Sequence, residues 1–423
     1  MRSGSAADDL VDRARAVADR LVALMDETAG WCFDTYDTRV GPVYLWLARR
    51  RAHRVARMLL YGLYAVEAIA PITYRRLRGI RPTWDPMGNS YRAGVQLSLY
   101  EADRDPAHLT RAARILEEIA SHAVGARGAR GFALGFPCIT GSNKLWRTSV
   151  PVAHYTLRVA RKFLRWEQVT GDTRFQFIVR ESMTFLLEGL QWTERDGVLG
   201  VAYTPDDPLH VINIWADVAS LLAACDLQYG DSRCRERALK LLASVVAHQD
   251  PDGGWPYYAR WESATNERDN GHTAMVLGAL ADLCLSYPEL GRSATSALQR
   301  GVPRWIEMFF DEQTGRFWNL VSRPKDVFTV AFGDALYAIN RLLRPGIGLA
   351  PGLVCRLSTL EQRIIAWALD TLLLPDGHFC ERRLRLRLYT LKSIRSFDGL
   401  VCDALALFLA RSKLGPSYRL WTQ

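Results

Sequence analysis

Two histidines and two aspartates are the residues of this chain best suited to moving protons. His210 and His272 are two of only eight histidines, and each stands at the head of an apolar run: His210 before Val211-Ile212-Asn213-Ile214-Trp215, His272 within Asp269-Asn270-Gly271-His272-Thr273. A neutral imidazole exchanges protons near physiological pH, so both are candidate general acids or bases. Asp269 and Asp334, the latter also near the start of an apolar run, are their candidate electrostatic partners or the second carboxylate of a pair. Tyr203, Trp215 and Trp255 would form an aromatic platform, with Asn89 and Asn213 adding amides. Arg147 and Arg395 would hold a carboxylate or phosphate. Helix capping is the competing explanation for Asp269, but it does not account for Asn213, Trp215 or Asp334.

These residues can meet only if the elements that carry them converge. Gly197, Gly253, Gly315 and Gly377 sit in related turns, 56, 62 and 62 residues apart. Such a period holds two helices and two connections. The helices alternate in kind. Residues 211–227 are apolar on nearly every face, whereas 232–248 set Arg233, Arg235, Glu236, Arg237 and Lys240 against Leu241, Leu242, Val245 and Val246. The alternation recurs in 91–100 with 108–122, 273–285 with 292–310, and 331–343 with 357–374, and the apolar pair 150–167 and 174–190 fits among them. Strand signals are few.

The expected fold is therefore all-α: an α/α toroid of about six helical hairpins, with an inner barrel and an outer jacket. One domain over 1–423 is expected. An N-terminal helix over 6–25 would partner the last inner helix, 397–410, and residues 1–80 are the hardest to place because a helix within 42–75 exceeds the six-hairpin count. In such a ring all inner helices run the same way, so their N-termini, with their spare N–H groups and positive dipole ends, line one funnel that favours anions.

Bulk properties narrow the partners. The formal charge is +9, but 48 of the 54 basic residues are arginine and they are scattered over most helices, with a dense stretch at 382–395. That suits a polyanion, yet no nucleic-acid motif accompanies it, and no nucleic acid is expected. Eight isolated cysteines without a CxxC pair read as reduced thiols, and the N-terminus lacks the apolar core of a signal peptide, so a cytoplasmic location is expected. The greasy run 58–72 is short of a span and interrupted by Glu67, leaving peripheral membrane contact open. Asp376, His378 and Cys380 alternate like metal ligands, but no second cluster completes a site, and Walker and dinucleotide patterns are absent; neither metal nor cofactor is expected. Asp206-Asp207 between two prolines reads as a turn.

Two resemblances follow. Gln249-x3-Gly253-x-Trp255 resembles the QW repeat of squalene and hopene cyclases and related prenyltransferase-type toroids, where it implies an architectural clamp. The Asp-x-Asp-Asp acid of class II cyclases is missing: Thr204-Pro205-Asp206-Asp207 lacks the first Asp. The stretch from Gly200-x-x-Tyr203-Thr204-Pro205 through Asn213-x-Trp215-Ala216 and 249–257 to 269–280 resembles VpsJ-like bacterial polysaccharide biosynthesis proteins. More remotely, the architecture is similar to six-hairpin glycosidases, uronate lyases and sugar epimerases. These resemblances imply a glycan-processing or glycan-binding toroid of surface-polysaccharide or glycoconjugate biosynthesis. Its partner would be an anionic glycan or a lipid-linked glycan precursor; if it is an enzyme, as the funnel residues favour, it would be a hydrolase, lyase or epimerase. The alternatives are a terpenoid cyclase-like or prenyltransferase-like enzyme and a non-catalytic scaffold. Oligomeric state is left open.

Overall fold

The structure is a computed structural model and describes residues 6–139, 144–262, 267–288, 291–384, 387–415 and 418. In chain order its α-helices are α1 (Ala6–Glu27), α2 (Pro42–Arg49), α3 (Arg54–Ile69), α4 (Pro71–Leu77), α5 (Pro86–Asp103), α6 (Pro106–Ser121), α7 (Ala153–Thr170) and α8 (Gln176–Thr184). They continue with α9 (Ile212–Tyr229), α10 (Ser232–Ala247), α11 (Asn270–Ser286), α12 (Gly291–Phe309), α13 (Thr329–Leu342), α14 (Pro351–Thr371) and α15 (Gly399–Leu414). Helices α5, α7, α9, α11, α13 and α15 contact one another in that order, and α15 closes back on α5. Each has an outer partner, and α1 packs on α15, so the N-terminus completes the jacket of the last hairpin. This is the α/α toroid expected from the alternation of dry and wet helices.

Local chemistry sets the hairpins. Asp85, Asp105, Asp231 and Asp269 cap the N-termini of α5, α6, α10 and α11 through their side chains. The repeated turn is equally regular. Gly197, Gly253, Gly315 and Gly377 all have left-handed φ, from 75° to 92°, where other residues are strained. Two residues after each comes a buried apolar side chain: Leu199, Trp255, Phe317 and Phe379. The turn therefore plugs the gap between neighbouring hairpins, and Trp255 is one instance of a general device.

The barrel axis differs from its reading in sequence. Helix α7 carries Arg158, Arg161, Lys162 and Arg165, all buried, at the i, i+3, i+4, i+7 spacing of a single face. Lys162 Nζ lies 2.5 Å from Asp403 Oδ2 on α15 and 2.9 Å from the Tyr337 hydroxyl on α13. Arg161 reaches Asp282 of α11 at 3.5 Å and Asp217 of α9 at 3.8 Å, while Arg165 donates to Ser98 and pairs with Glu101 on α5. A helix expected to be apolar thus carries four buried positive charges that bind it to the other five across the axis. Paired in this way, the charges avoid the penalty of isolated burial.

Residues 42–77 supply three helices beyond the six hairpins. A small apolar cluster of Tyr44, Leu47, Ala48, Ala56 and Leu60 with Ile139 joins α2 and α3 to the ring. Fully buried Arg75 is the main tie: it donates to Asp37 at 2.8 and 3.1 Å, to Glu67 at 2.8 Å and to the Asp34 carbonyl at 2.7 Å. The connection 34–39 is thereby fixed against the mouth of the barrel.

Candidate active site

The start of α11 holds the best-formed proton-transfer pair. Asp269 grips His272 twice: Oδ1 accepts the backbone N–H at 2.7 Å, and Oδ2 lies 2.7 Å from ring Nδ1. One carboxylate is therefore both helix cap and histidine partner. Burial pulls the imidazole pKa down, but the charge and hydrogen bond of Asp269 outweigh it and hold it above the ordinary value. The side chain is 32% exposed, and the Tyr257 ring covers it at 4.2 Å.

Asp334, one hairpin further on, is 11% exposed and bonds through Oδ1 to Arg158 Nη2 at 2.9 Å. Burial raises its carboxyl pKa against the opposing pull of Arg158 and His272. The two aspartates flank Gly271, where a Cβ would lie 3.1 Å from Asp334 Oδ2 and 3.8 Å from Asp269 Oδ1. His272, Asp269, Asp334 and Arg158 thus form one group at the funnel. Asn213 and Trp255 line the same crevice as Asp269, His272 and Tyr257. The Asn213 amide contacts Met275 Sδ at 3.3 Å, and its buried Oδ1 has no partner among the described residues.

Other sequence candidates lie elsewhere or are already occupied. His210 Nδ1 sits 3.0 Å from Glu262, and its ring packs edge-on against Trp215 and Trp261. Burial depresses its pKa despite Glu262. No contact joins it to His272 among the described residues, so the structure does not bring the two candidate histidines together. Trp215 is fully buried and donates to the Val201 carbonyl at 3.1 Å, and Trp255 is 2% exposed and donates to the Val245 carbonyl at 2.9 Å. Neither can serve as an open platform. Gln249 donates to the Gly253 and Ala297 carbonyls at 2.8 and 2.9 Å, which ties α10 to α12.

Asn89 is occupied as well: both ends of its buried amide are used, donating to the Gly30 and Asp85 carbonyls and accepting from Arg92. Arg147 is exposed on a loop, six residues before α7 begins, and not on the rim. Arg395 does reach the funnel, but its guanidinium is held by both oxygens of Asp34, at 2.6 and 2.5 Å. Its fork is therefore spent. Tyr203 stacks on Trp146 with ring centroids 5.0 Å apart, which leaves this pair as the aromatic wall. Away from the funnel, His378 pairs with Asp398 at 2.8 Å and Asp376 with Lys392 at 2.6 Å, so the alternating 376–380 stretch braces the start of α15.

Three residues not singled out by sequence complete the site. His154, at the second position of α7, has a buried Nδ1 without a partner; burial, then Arg158 and His272, push its pKa well below normal and keep it neutral. Arg39 lies over the Tyr36 ring at 4.0 Å, and among the described residues it pairs with no carboxylate. Tyr36 and Arg39 line a cavity of about 450 Å³ between the α3–α4 segment and the barrel mouth, together with Glu67, Arg75, Glu381 and Arg395. Burial pushes Glu381 up to about 7, against the pull of Arg382.

No protein-family model matches the sequence, and no curated protein does. Solved structures share its fold. An inactive variant of an α-1,6-mannanase from Salegentibacter sp., bound to α-1,6-mannotriose, aligns with a TM-score of 0.57 at 14% identity over 78% of this chain and 91% of its own. Cellobiose 2-epimerase from Spirochaeta thermophila aligns at 0.58 and 12% identity, covering 78% and 87%. A polysaccharide lyase aligns at 0.55 and 10%, covering 82% and 97%. At such identities the likeness establishes the α/α toroid and leaves the chemistry to the residues of this chain.

Proposed function

We propose that this protein is a carbohydrate-active enzyme that transfers a proton on an anionic glycan, as a lyase or epimerase does, with His272 as the acid–base group and Asp269 as its orienting partner. The observation that carries the reading is the doubly bonded Asp269–His272 pair, half-open at the funnel mouth beside Asp334 and Arg158. With Nδ1 turned to the carboxylate, Nε2 is the nitrogen left to exchange a proton. Arg39 and the helix N-termini would attract the anionic group, replacing Arg147 and Arg395 in that role, and Tyr203, Trp146 and Tyr257 would face the sugar. Hydrolysis is the less suited member of the set. It needs one protonated and one ionised carboxylate flanking the bond, whereas Asp269 is committed to His272 and Asp334 to Arg158.

The α/α toroids that bind or process mannosides, cellobiose and polysaccharides support a glycan reading, and the residue likeness around 200–280 supports a place in surface-polysaccharide or glycoconjugate biosynthesis in the cytoplasm. A cyclase-like or prenyltransferase-like role would need a deep apolar chamber, and the axis below the site is filled by Arg161, Lys162, Arg165, Asp282 and Asp403. That same filling, and the parting of His210 from His272, favour a binding scaffold as the second reading. The two separate when uronate-containing and neutral oligosaccharides are incubated with the protein in D2O and followed by NMR. Deuterium incorporation or an unsaturated product that disappears in His272→Ala supports catalysis. Undiminished turnover in that variant overturns it, and glycan binding without turnover in the wild type supports the scaffold.

A further inference from the structure

Helix α3 has two apolar faces, and the ring uses only one. Ala56, Leu60, Leu63 and Tyr64 turn inward. On the other side Val55, Met58, Leu59, Val66 and Ile69, at the i, i+3, i+4, i+11, i+14 spacing of a single stripe, are between 52% and 71% exposed. Leu77 of α4 adds a side chain 83% exposed. Nine of the seventeen large apolar side chains exposed among the described residues fall within 42–77. A concentration of this kind marks an interaction surface, because lone exposed apolar residues are otherwise scattered.

The charge around the stripe specifies what covers it. Residues 42–84 contain nine arginines and one acid, Glu67, so this segment alone accounts for eight of the nine net positive charges. Glu67 is turned inward onto Arg75, which leaves the outer surface basic. Arg49, Arg50, Arg51, Arg54 and Arg57 gather around the start of α3, and Arg76 and Arg78 lie on α4 at its other end; all are exposed. Trp46 and Tyr61, 50% and 61% exposed, add amphipathic rings, the kind favoured at a lipid–water boundary.

We propose that α2, α3 and α4 form an interfacial anchor that lies in the surface of an anionic lipid bilayer. The helices lie flat rather than spanning. No single helix among the described residues is long and apolar enough to cross a membrane, and α3 and α4 meet at a 115° bend. An apolar stripe flanked by arginines buries its side chains at the headgroup boundary while the guanidinium groups meet lipid phosphates. A second copy of this chain is a poor occupant, because a two-fold contact would set two strongly basic faces against each other. Docking would also bring the cavity between α3–α4 and the barrel mouth next to the headgroups, since Tyr61, Tyr64 and Ala68 of α3 line it. A substrate carried on a lipid would reach the funnel from that side.

The anchor rests on the surface of 42–78 and not on the chemistry of the funnel, and is tested without any glycan. Full-length protein is floated with phosphatidylcholine vesicles containing about one-third phosphatidylglycerol and with phosphatidylcholine alone, and the double variant Met58→Glu/Leu59→Glu is floated in parallel. Both side chains are exposed, so folding is expected to survive, and circular dichroism checks this. The wild type is expected to float with the anionic vesicles and be released by high salt; the double variant is expected to lose about tenfold or more in partitioning. Arg50→Glu/Arg54→Glu, which leaves the stripe intact, is expected to lose binding mainly at low salt. Equal flotation with both lipids, wild-type flotation of the Met58/Leu59 variant, or a dimer that these substitutions dissolve in the absence of vesicle binding would overturn the proposal.

Discussion

His210 and His272 stand at the mouths of adjacent inner helices, and in each the ring Nδ1 meets a carboxylate, at 3.0 Å and 2.7 Å. Their surroundings pull them apart. His210 is 6% exposed on its side chain, walled in by Trp215 and Trp261, and its partner Glu262 comes from a neighbouring loop; burial wins and its pKa falls. His272 is half-open, and its partner is the cap of its own helix; the carboxylate wins and its pKa rises. The same motif of imidazole and acid therefore serves packing in one hairpin and, in the function proposed above, proton transfer in the next. What separates them is whether the nearby acids offset desolvation: Asp269 and Asp334 both act on His272, whereas Glu262 acts alone on His210 and Arg195 opposes it.

The sharpest way to break this contrast is to remove each histidine in turn. His272→Ala is expected to lower turnover about 10²–10⁴-fold, the usual contribution of a general acid or base, with little change in melting temperature because the side chain is partly exposed. His210→Ala is expected to do the reverse. It opens a gap among Trp215, Trp261 and His248 and strips Glu262 of its ring partner, costing about 2–3 kcal/mol in urea unfolding while activity per folded molecule is retained. Loss of turnover in the His210 variant at unchanged stability would erase the distinction.

A smaller effect is expected from the clamp between the two histidines. Gln249→Ala deletes the hydrogen bonds to the Gly253 and Ala297 carbonyls and should cost about 1–2 kcal/mol, read as a lower denaturant midpoint. If the clamp also aims Asp269, the pH profile of turnover shifts as well; if it only holds α10 against α12, stability alone changes.

The ring was legible because its signals are local and repeated: left-handed glycines at a fixed period, a buried apolar residue two positions later, and helices alternately dry and wet. The candidate site was legible only where its partners lie within one turn of sequence, as in Asp269-Asn270-Gly271-His272. Elsewhere the decisive partner is remote or the boundary slips. Arg395 has the composition of an anion clamp, but Asp34, 361 residues away in sequence, consumes it. Placing the start of α7 at Val150 instead of Ala153 puts Arg147 on the rim and hides His154, since Ser149-Val150-Pro151 has the look of a helix start and the true cap, Val152, has no capping side chain. Helix α7 reads simply as apolar, and its four buried positive charges are missed, because sequence cannot show that five other helices supply their partners. The run 58–72 leaves peripheral membrane contact open and no more for the same reason: apolar periodicity states that a face is covered, and not by what.

Asp269→Asn is the mildest test and isolates electrostatics from geometry. Asparagine still accepts the His272 N–H as a cap, so α11 should start where it does, but the charge is gone. Burial then remains as the main influence on the imidazole, so the pKa of His272 is expected to drop below its ordinary value of about 6.5, as NMR titration of the ring would show. In the wild type, where the folded pKa is raised, the charged pair stabilises the fold fully below the unfolded pKa, and this contribution is lost as pH rises through the folded value. In the variant the order of the two pKa values is inverted. The unfolded chain then binds the proton more readily, and stability from this group should increase with pH instead of decreasing. Melting curves from about pH 5 to 8 compare the two slopes. A slope unchanged by the substitution would mean that Asp269 caps the helix without charging the histidine, and His272 would then resemble His210.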